Sequence, residues 1–342
     1  MIKSDGELLS IAEKLTQEPV LELKMALKGG NNRLFKITTP SQHYALKFHL
    51  HLSGDPRDRQ GVETQALTFL QAHGSIQTPK LYGVDRVNRC SLMEWIDGEP
   101  IATPSHKEIG AALQLVATLH RLGQAPEARN LPLASAASLS GRAVERQLEN
   151  RLAQLQPSLA EHPSLADFIR ADFTPFLQQA IQHAQENYQK ANQDFDADIG
   201  DEKRLLSPSD FGFHNALRHR DGHLVFLDFE YFGWDDPCKM CCDFLLHSGM
   251  DIATEQKKAF TLGVVDILQS DTNLSFRITQ LYPLFGLCWC LIILNEFIPQ
   301  RWQRRVLAAG ETLDRQRILT QQLAKAQQLL DSLQREPLGW IS

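Results

Sequence analysis

The stretch that decides the fold is residues 205–243, LLSPSDFGFHNALRHRDGHLVFLDFEYFGWDDPCKMCCD. It holds an aspartate, an asparagine and a second aspartate in fixed order, with Asp210 five residues before Asn215 and eighteen before Asp228. Leu224 to Asp228 reads as a strand after an Asp-Gly turn. Each polar residue could serve separately in a turn or cap, but together they supply the carboxylate and amide oxygens that phosphate and Mg²⁺ chemistry requires.

Length and charge limit the classes of protein. At about 150 residues per domain, a chain of 342 residues is long enough for two lobes. Hydrophobic residues make up 43% of the chain, enough for a sizeable core. The formal net charge of -6 argues against nucleic acid or an anionic membrane as the main partner. We therefore expect a small-molecule substrate, and the oligomeric state stays open.

Two segments bear on localisation. The N-terminus, MIKSDGELLSIAEKL, has no uninterrupted apolar core of signal-peptide length and reads as a helix with a polar face. The longest mostly apolar run, Leu284 to Ile298, is shorter than a membrane span and contains Asn295 and Glu296, which favours a buried helix. A cytoplasmic protein is expected.

The six cysteines are sparse and clustered, which favours reduced thiols over a disulfide framework. Cys238 and Cys241 are three residues apart and could bind metal from one helix face. A structural zinc site needs a second pair, and Cys288 with Cys290 has poor spacing for one. Packed core thiols are the favoured interpretation.

The first hundred residues predict a small sheet. Val20 to Lys28 and Leu34 to Thr38 read as strands around Gly29, Gly30 and Asn32. The glycines permit positive φ angles, as a hairpin turn requires. The same turn could instead bring backbone N–H groups close to phosphate oxygens, so both interpretations stay open.

A lysine and a glutamate in this region form a candidate pair. In the strand from His43 to Leu50, a period of two places Lys47 opposite the most apolar face, where it is either solvated or paired. A helix expected from Asp55 to His73 carries Glu63 on its apolar stripe. Because an unpaired buried carboxylate is costly, Glu63 needs a cation, and Lys47 is the plausible partner.

The pattern then changes from strands to helices. Leu81 to Val84 and Cys90 to Ile96 read as strands, and an Asp-Gly pair ends the second. We therefore predict an N-terminal lobe over residues 1–96, a hinge at about 93–98 and a helical C-terminal lobe over 97–342. Within that lobe, Ser105 with Glu108 predicts a capping box.

These motifs resemble the aminoglycoside phosphotransferase and choline kinase group of the protein-kinase-like fold, over about residues 27–243. The resemblance implies an α+β, bilobal architecture, with a small antiparallel β N-lobe carrying one main helix and a large, mostly helical C-lobe. GGNNRLFKI is similar to the family's glycine loop. This similarity implies nucleotide contacts from Gly29, Gly30 and Asn32.

The remaining nucleotide contacts also follow from the resemblance. YALKF is similar to the segment with the family's phosphate lysine, which would be Lys47, and VETQALTFL to the helix with its glutamate, Glu63. LMEWIDGEP resembles the hinge, where the backbones of Glu94 and Ile96 would bind adenine. The implied cofactors are ATP, with GTP as an alternative, and Mg²⁺.

The catalytic loop, SPSDFGFHN, resembles the family's histidine, glycine, aspartate and later asparagine. The resemblance makes Asp210 the catalytic base and gives Asn215 and Asp228 to the metal. It also shows a departure, because Pro208 and Ser209 stand where the family usually has histidine and glycine.

The implied activity is transfer of the ATP γ-phosphate to a hydroxyl of a small molecule such as a sugar, amino sugar or amino alcohol. Only residues 229–235 separate Asp228 from the next turn, too few to dock a polypeptide as protein kinases do. Glu230, Asp235 and Asp236 could give the substrate side an acidic character, although Asp236 could equally cap the following helix.

Two other functions remain as alternatives, a nucleotide-binding pseudokinase or scaffold and a protein kinase. The role of His214 also stays open, because it could contact substrate or pin the loop by a hydrogen bond.

Overall fold

The computed structural model describes residues 4–28, 32–50, 57–309 and 313–335. In these ranges the strands are β1 (Glu22–Lys28), β2 (Asn32–Thr38), β3 (His43–His49), β4 (Leu81–Asp85), β5 (Cys90–Glu94), β6 (Gly98–Pro100), β7 (Leu205–Ser207), β8 (Ala216–His219), β9 (Leu224–Phe226) and β10 (Gly233–Asp235). The helices are α1 (Asp5–Thr16), α2 (Arg59–Ala72), α3 (His106–Leu122), α4 (Gly141–Leu155), α5 (Pro163–Asp167), α6 (Thr174–Lys190), α7 (Pro237–Leu246), α8 (Thr254–Ile267), α9 (Leu274–Ile293), α10 (Pro299–Ala309) and α11 (Arg315–Arg335).

The N-terminal part is a five-stranded antiparallel sheet in the order β1-β2-β3-β5-β4. As the period of two predicts, Tyr44, Leu46 and Phe48 of β3 face one way and pack in a cluster with α1. Ala45 faces the other way, into the core that includes α2. The remaining strands are short, and helices make up most of the chain beyond them. The predicted α+β architecture, with a small antiparallel sheet before a mostly helical part, is thereby confirmed.

Three predicted boundaries differ. Helix α2 is capped by Asp58, whose carboxylate accepts the N–H of Gly61 at 2.9 Å, and the predicted start at residues 55 and 56 lies outside the described residues. Strand β5 ends at Glu94 rather than Ile96, because the chain next joins β6, which pairs with β8. Strand β9 ends before Asp228, whose φ of 64° is incompatible with a strand. The lobe boundary at residue 96 stays a prediction.

The first ten residues of the predicted apolar run belong to α9, which begins ten residues earlier and contacts α4, α6, α7 and α11, and a 3₁₀ turn at Leu294–Phe297 follows. By length and composition Leu274–Phe297 could cross a membrane, but 67% of its apolar stretch of 18 residues is buried inside the protein. All six cysteines are free and buried, as packed core thiols.

Two buried side chains, Glu108 on α3 and Arg277 on α9, bind the region around residues 205–243 to these helices. The predicted capping box of α3 is present, and Glu108 also accepts a hydrogen bond from Arg218 of β8 at 2.9 Å. On α9, buried Arg277 donates two hydrogen bonds to Asp236 at the start of α7, both at 2.9 Å, and pairs with Asp271 at 2.7 Å.

We predict that Arg277→Met lowers the free energy of unfolding by about 3–5 kcal/mol, because it leaves two carboxylates buried without a cation. The control is Arg335→Met, which removes an exposed ion pair with Asp331 and should cost less than about 1 kcal/mol. Urea denaturation compares them. Equal losses for both variants would contradict the anchoring role of Arg277.

A second prediction concerns pH. Burial raises the pKa of Glu108, but hydrogen bonds from Ser105 and Arg218 outweigh burial and lower the pKa from 4.5 to about 2. Since the folded pKa is depressed, the stabilisation is present above pH 4.5 and is lost as the pH falls towards 2. The stability advantage of the wild type over Glu108→Gln should therefore shrink between pH 5 and pH 3, as urea titrations measure. An advantage that stays constant over this range would be inconsistent with the ion pair.

Candidate active site

Lys47 lies at the centre of the site and connects three distant parts of the chain. Its Nζ atom, on β3, is 2.7 Å from Glu63 Oε1 on α2 and 2.7 Å from Asp228 Oδ1, just after β9. Glu230 Oε2 lies at 3.8 Å. The lysine is 5% exposed, so it is paired rather than solvated, and its predicted contact with Glu63 is present.

Charge compensation sets the ionisation of this cluster. Burial alone lowers the pKa of Lys47, but Glu63, Asp228 and Glu230 outweigh it, so the pKa is raised and the ammonium is retained. Burial, assisted by Lys47 and Arg59, lowers the pKa of the nearby His49 to about 3. His49 is therefore neutral at physiological pH.

The same cluster also holds residues 228–230, which follow β9. Glu63 Oε1 also accepts the backbone N–H of Phe229 at 3.2 Å. Glu230 is 2% exposed and lies 3.5 Å from Nε of Arg59. Glu230 thus belongs to a buried ion network with Arg59 and Lys47 and does not form part of an exposed substrate surface.

Asp210 is held by three neighbouring side chains. The Asn215 Nδ2 atom donates to the carbonyl oxygen of Asp210 at 3.0 Å and to its Oδ2 at 3.2 Å. The Nε2 atoms of His214 and His247 lie 3.1 and 3.5 Å from Oδ1. Burial raises the pKa of Asp210, but hydrogen bonds from His214 and His247 outweigh burial and hold the pKa well below its usual range.

Of these two histidines, only His214 is a candidate from the sequence. The position of His214 agrees with the loop-pinning alternative. His247 was missed by the sequence interpretation, because it lies 37 residues after Asp210 and belongs to no motif of the catalytic loop.

The loop adopts its turn without the glycine that the resemblance implies. Ser209 has a φ of 67°, in the left-handed region that glycine adopts most readily. Its N–H donates to Ser207 Oγ at 3.0 Å, and the N–H of Asp210 donates to the carbonyl oxygen of Pro208 at 2.9 Å. Local hydrogen bonds therefore support the turn, while Pro208 has no side-chain donor to contribute.

Asn215 and Asp228 have oxygen atoms suited to Mg²⁺. The Leu227 N–H donates to the Asn215 carbonyl oxygen at 2.7 Å, which brings the two residues close together. Because Nδ2 of Asn215 is directed at Asp210, its Oδ1 is the atom available to a metal. Asp228 binds Lys47 through Oδ1, and its side chain is 29% exposed. The donor set fits the metal that the sequence predicts, and the metal role itself stays a prediction.

Within the described ranges, two further groups of possible metal ligands contain histidine. Each group brings three ligand atoms within 4.8 Å of one another, and the groups are Asp210 with His214 and His247, and His219 with Asp221 and His223. Imidazole nitrogen suits zinc better than Mg²⁺, so these groups do not compete with Asn215 and Asp228 for the Mg²⁺ role.

Besides Lys47 and Glu63, the predicted nucleotide-binding residues lie on or after strands of the N-terminal sheet or outside the described residues. Asn32 is buried on β2, opposite His49 of β3, whereas Gly29 and Gly30 lie outside the described residues. The N–H of Glu94 already donates to the carbonyl oxygen of Lys80 at 2.8 Å. The Glu94 N–H is therefore engaged, and the adenine contacts expected from the carbonyl oxygen of Glu94 and from the backbone of Ile96 stay predictions.

The prediction of an acidic substrate side is wrong for the residues on which it rested. Asp235 and Asp236 are 1% and 2% exposed. Asp235 lies 3.6 Å from Nζ of Lys239, and Asp236 binds Arg277 and caps α7 through the N–H of Cys238 at 2.8 Å. These carboxylates are buried and paired because they anchor α7, as the capping alternative predicts for Asp236.

The fold has close counterparts among solved structures. Aminoglycoside phosphotransferase APH(2'')-Ib bound to ADP superposes with a TM-score of 0.60 at 17% identity, covering 96% of this chain and 99% of that one. Choline kinase LicA from Streptococcus pneumoniae gives 0.58 at 15% identity, over 96% and 100%. Spectinomycin phosphotransferase APH(9)-Ia, in complex with ADP and spectinomycin, gives 0.65 at 9% identity, over 98% and 100%.

At these identities the superpositions establish the protein-kinase-like fold. None of the curated proteins compared with the chain matches it. A profile of the phosphotransferase enzyme family matches residues 22–247, more than half of the chain, and this span contains every predicted site residue. The fold is protein-kinase-like, and the chain belongs to the phosphotransferase enzyme family.

Proposed function

We propose that the protein transfers the γ-phosphate of ATP to a hydroxyl of a small molecule, with Asp210 as catalytic base. The observation that carries the proposal is the convergence of Lys47, Glu63 and Asp228 through two contacts of 2.7 Å, beside a loop in which Asn215 holds Asp210. One cluster thus supplies a cation for phosphates, and the other a carboxylate for the acceptor.

Each residue has a distinct task in this mechanism. The acceptor hydroxyl hydrogen-bonds to the Asp210 carboxylate, its oxygen attacks the γ-phosphorus, and its proton passes to Asp210 while ADP departs. Lys47 binds phosphate oxygens, and Glu63 keeps the ammonium in place. Asn215 and Asp228 would hold Mg²⁺, which, when bound, neutralises charge on the phosphates.

A small acceptor is favoured over a polypeptide. Between Asp228 and the start of α7 at Pro237 the structure has room only for the short strand β10. The relatives of similar fold are named for aminoglycosides, spectinomycin and choline, all of them small molecules. We therefore propose a sugar, amino sugar or amino alcohol as acceptor. Because Asp235 and Asp236 are already paired, neutral sugars belong in the screen on equal terms with cationic acceptors.

A nucleotide-binding pseudokinase is the second candidate, since Pro208 and the strained Ser209 depart from the family's catalytic loop.

ATP is the proposed phosphate donor, and GTP is the alternative. A cytoplasmic location also remains a proposal.

We predict that Asp210→Asn lowers acceptor-dependent ADP release by about 10²- to 10⁴-fold, because the amide cannot accept the hydroxyl proton. Nucleotide affinity should stay unchanged, since no proposed nucleotide contact is lost. Asp167→Asn, at an exposed position, is the matched control. A coupled assay over a panel of sugars, amino sugars and amino alcohols gives the rates, and calorimetry gives the affinity. A wild type that binds ATP yet shows no turnover with any acceptor would favour the pseudokinase.

Lys47→Met should reduce kcat/KM for ATP by at least about tenfold, because a phosphate cation is removed. Lys24→Met, exposed on β1, provides the control and should behave as wild type. Steady-state kinetics with varied ATP tests this, with thermal unfolding to confirm that both variants are folded. Unaltered kinetics in Lys47→Met would exclude Lys47 from the phosphate site.

A further inference from the structure

His247 occupies an unusual position for a residue outside the catalytic loop. It follows the last residue of α7, and its Nε2 atom lies 3.5 Å from Asp210 Oδ1. Its ring stacks on that of His214, with centroids 3.6 Å apart and planes within 5°. The edge-to-face contact with Trp289 of α9 has a centroid distance of 4.7 Å. Two aromatic contacts thus fix the orientation of the ring.

Hydrogen bonding also fixes which nitrogen of His247 is the donor. The backbone N–H of Gly249 donates to Nδ1 at 3.0 Å. Nδ1 is therefore the acceptor, and the proton of the neutral ring lies on Nε2. The neutral imidazole consequently presents an N–H to the Asp210 carboxylate.

The support behind His247 continues into the core. Trp289 Nε1 donates to Asp243 Oδ1 at 2.9 Å. The other oxygen of Asp243 accepts from Nζ of Lys239 at 2.6 Å. All three residues lie on α7 or α9, so His247 connects Asp210 to a rigid pair of helices.

This support matters because the catalytic loop lacks the histidine that the family usually has two residues before the aspartate. The family resemblance places a histidine at the position of Pro208, which has no side-chain hydrogen-bond donor. Of the two carboxylate oxygens of Asp210, Asn215 contacts Oδ2. His247 and His214 hold Oδ1, and among the residues that the structure describes only His247 brings this support from outside the loop.

We propose that His247 is a positioning residue for Asp210: its Nε2–H orients the catalytic carboxylate and replaces the support that Pro208 cannot give. This inference rests on the proposed function, in which Asp210 is the base. It predicts an effect on the chemical step and none on nucleotide binding, because His247 makes none of the proposed nucleotide contacts.

Two substitutions separate hydrogen bonding from packing. His247→Phe keeps a flat ring for His214 and Trp289 but removes the donor, whereas His247→Gln loses the ring and places an amide N–H near the Nε2 position. We expect kcat to fall about ten- to a hundredfold in His247→Phe, with KM for ATP unchanged, because a small misorientation of a catalytic group has effects of that size. His247→Gln should retain clearly more activity than His247→Phe.

Steady-state kinetics on the best acceptor of the panel and thermal unfolding of each variant test this, with His183→Gln, at an exposed position of α6, as control. If His247→Phe does not fold, His247→Asn takes its place, because its amide is too short to reach Asp210. Activity in the donor-free variant equal to wild type, or equal losses in both variants, would overturn the positioning role.

The same experiment distinguishes a failure of the positioning role of His247 from a failure of the proposed function. Turnover that is lost in Asp210→Asn but undiminished in His247→Phe would overturn this inference alone. A wild type without turnover, or an active Asp210→Asn variant, would overturn the proposed function and this inference with it.

Discussion

The buried ammonium of Lys47 is the interaction on which the rest of the site depends. A cation that is 5% exposed is tolerated only when carboxylates compensate it, and here the compensation comes from Glu63 and Asp228 at 2.7 Å each. Lys47 lies on a strand and Glu63 on the next helix, whereas Asp228 follows a strand 181 residues after Lys47. Because each charge would be costly without the others, the cluster fixes how the N-terminal sheet meets residues 205–243. An incoming phosphate would have to compete with Asp228 for the same ammonium.

The helical part of the chain supports the other half of the site. Arg277 on α9 fixes the first turn of α7 through Asp236, and the last residue of α7 leads to His247. Helix α7 therefore has one end held by a buried ion pair and the other directed at Asp210. This arrangement explains why Asp235 and Asp236 are unavailable to a substrate, and it gives the catalytic loop a support that does not come from its own sequence.

Sequence predicted the parts of the site that follow from local pattern and charge. The period of β3 placed Lys47 opposite the apolar face, and the cost of a buried carboxylate identified it as the partner of Glu63. The resemblance supplied the order of Asp210, Asn215 and Asp228. The end of β9 was placed too late, because the sequence does not reveal that Asp228 has a positive φ.

Residues whose partners are distant in sequence were not predicted correctly. Asp236 reads as an acidic surface residue until its partner Arg277, 41 residues later, is seen beside it. His247 likewise has no motif, and only the packing of α7 against α9 brings it to Asp210. Pairing between distant side chains depends on tertiary packing, which neither periodicity nor residue spacing specifies.

In the proposed function, these two halves form one site for phosphate transfer to a small alcohol. The most direct test is to incubate the enzyme with ATP carrying an isotope label in its γ-phosphate and with the panel of hydroxyl compounds, and to follow the label by mass spectrometry. If the protein transfers phosphate as proposed, the label appears in a phosphate ester of one acceptor, in an amount equal to the ADP formed. Label that appears only in inorganic phosphate, or that remains in ATP with every acceptor, would contradict the proposed function.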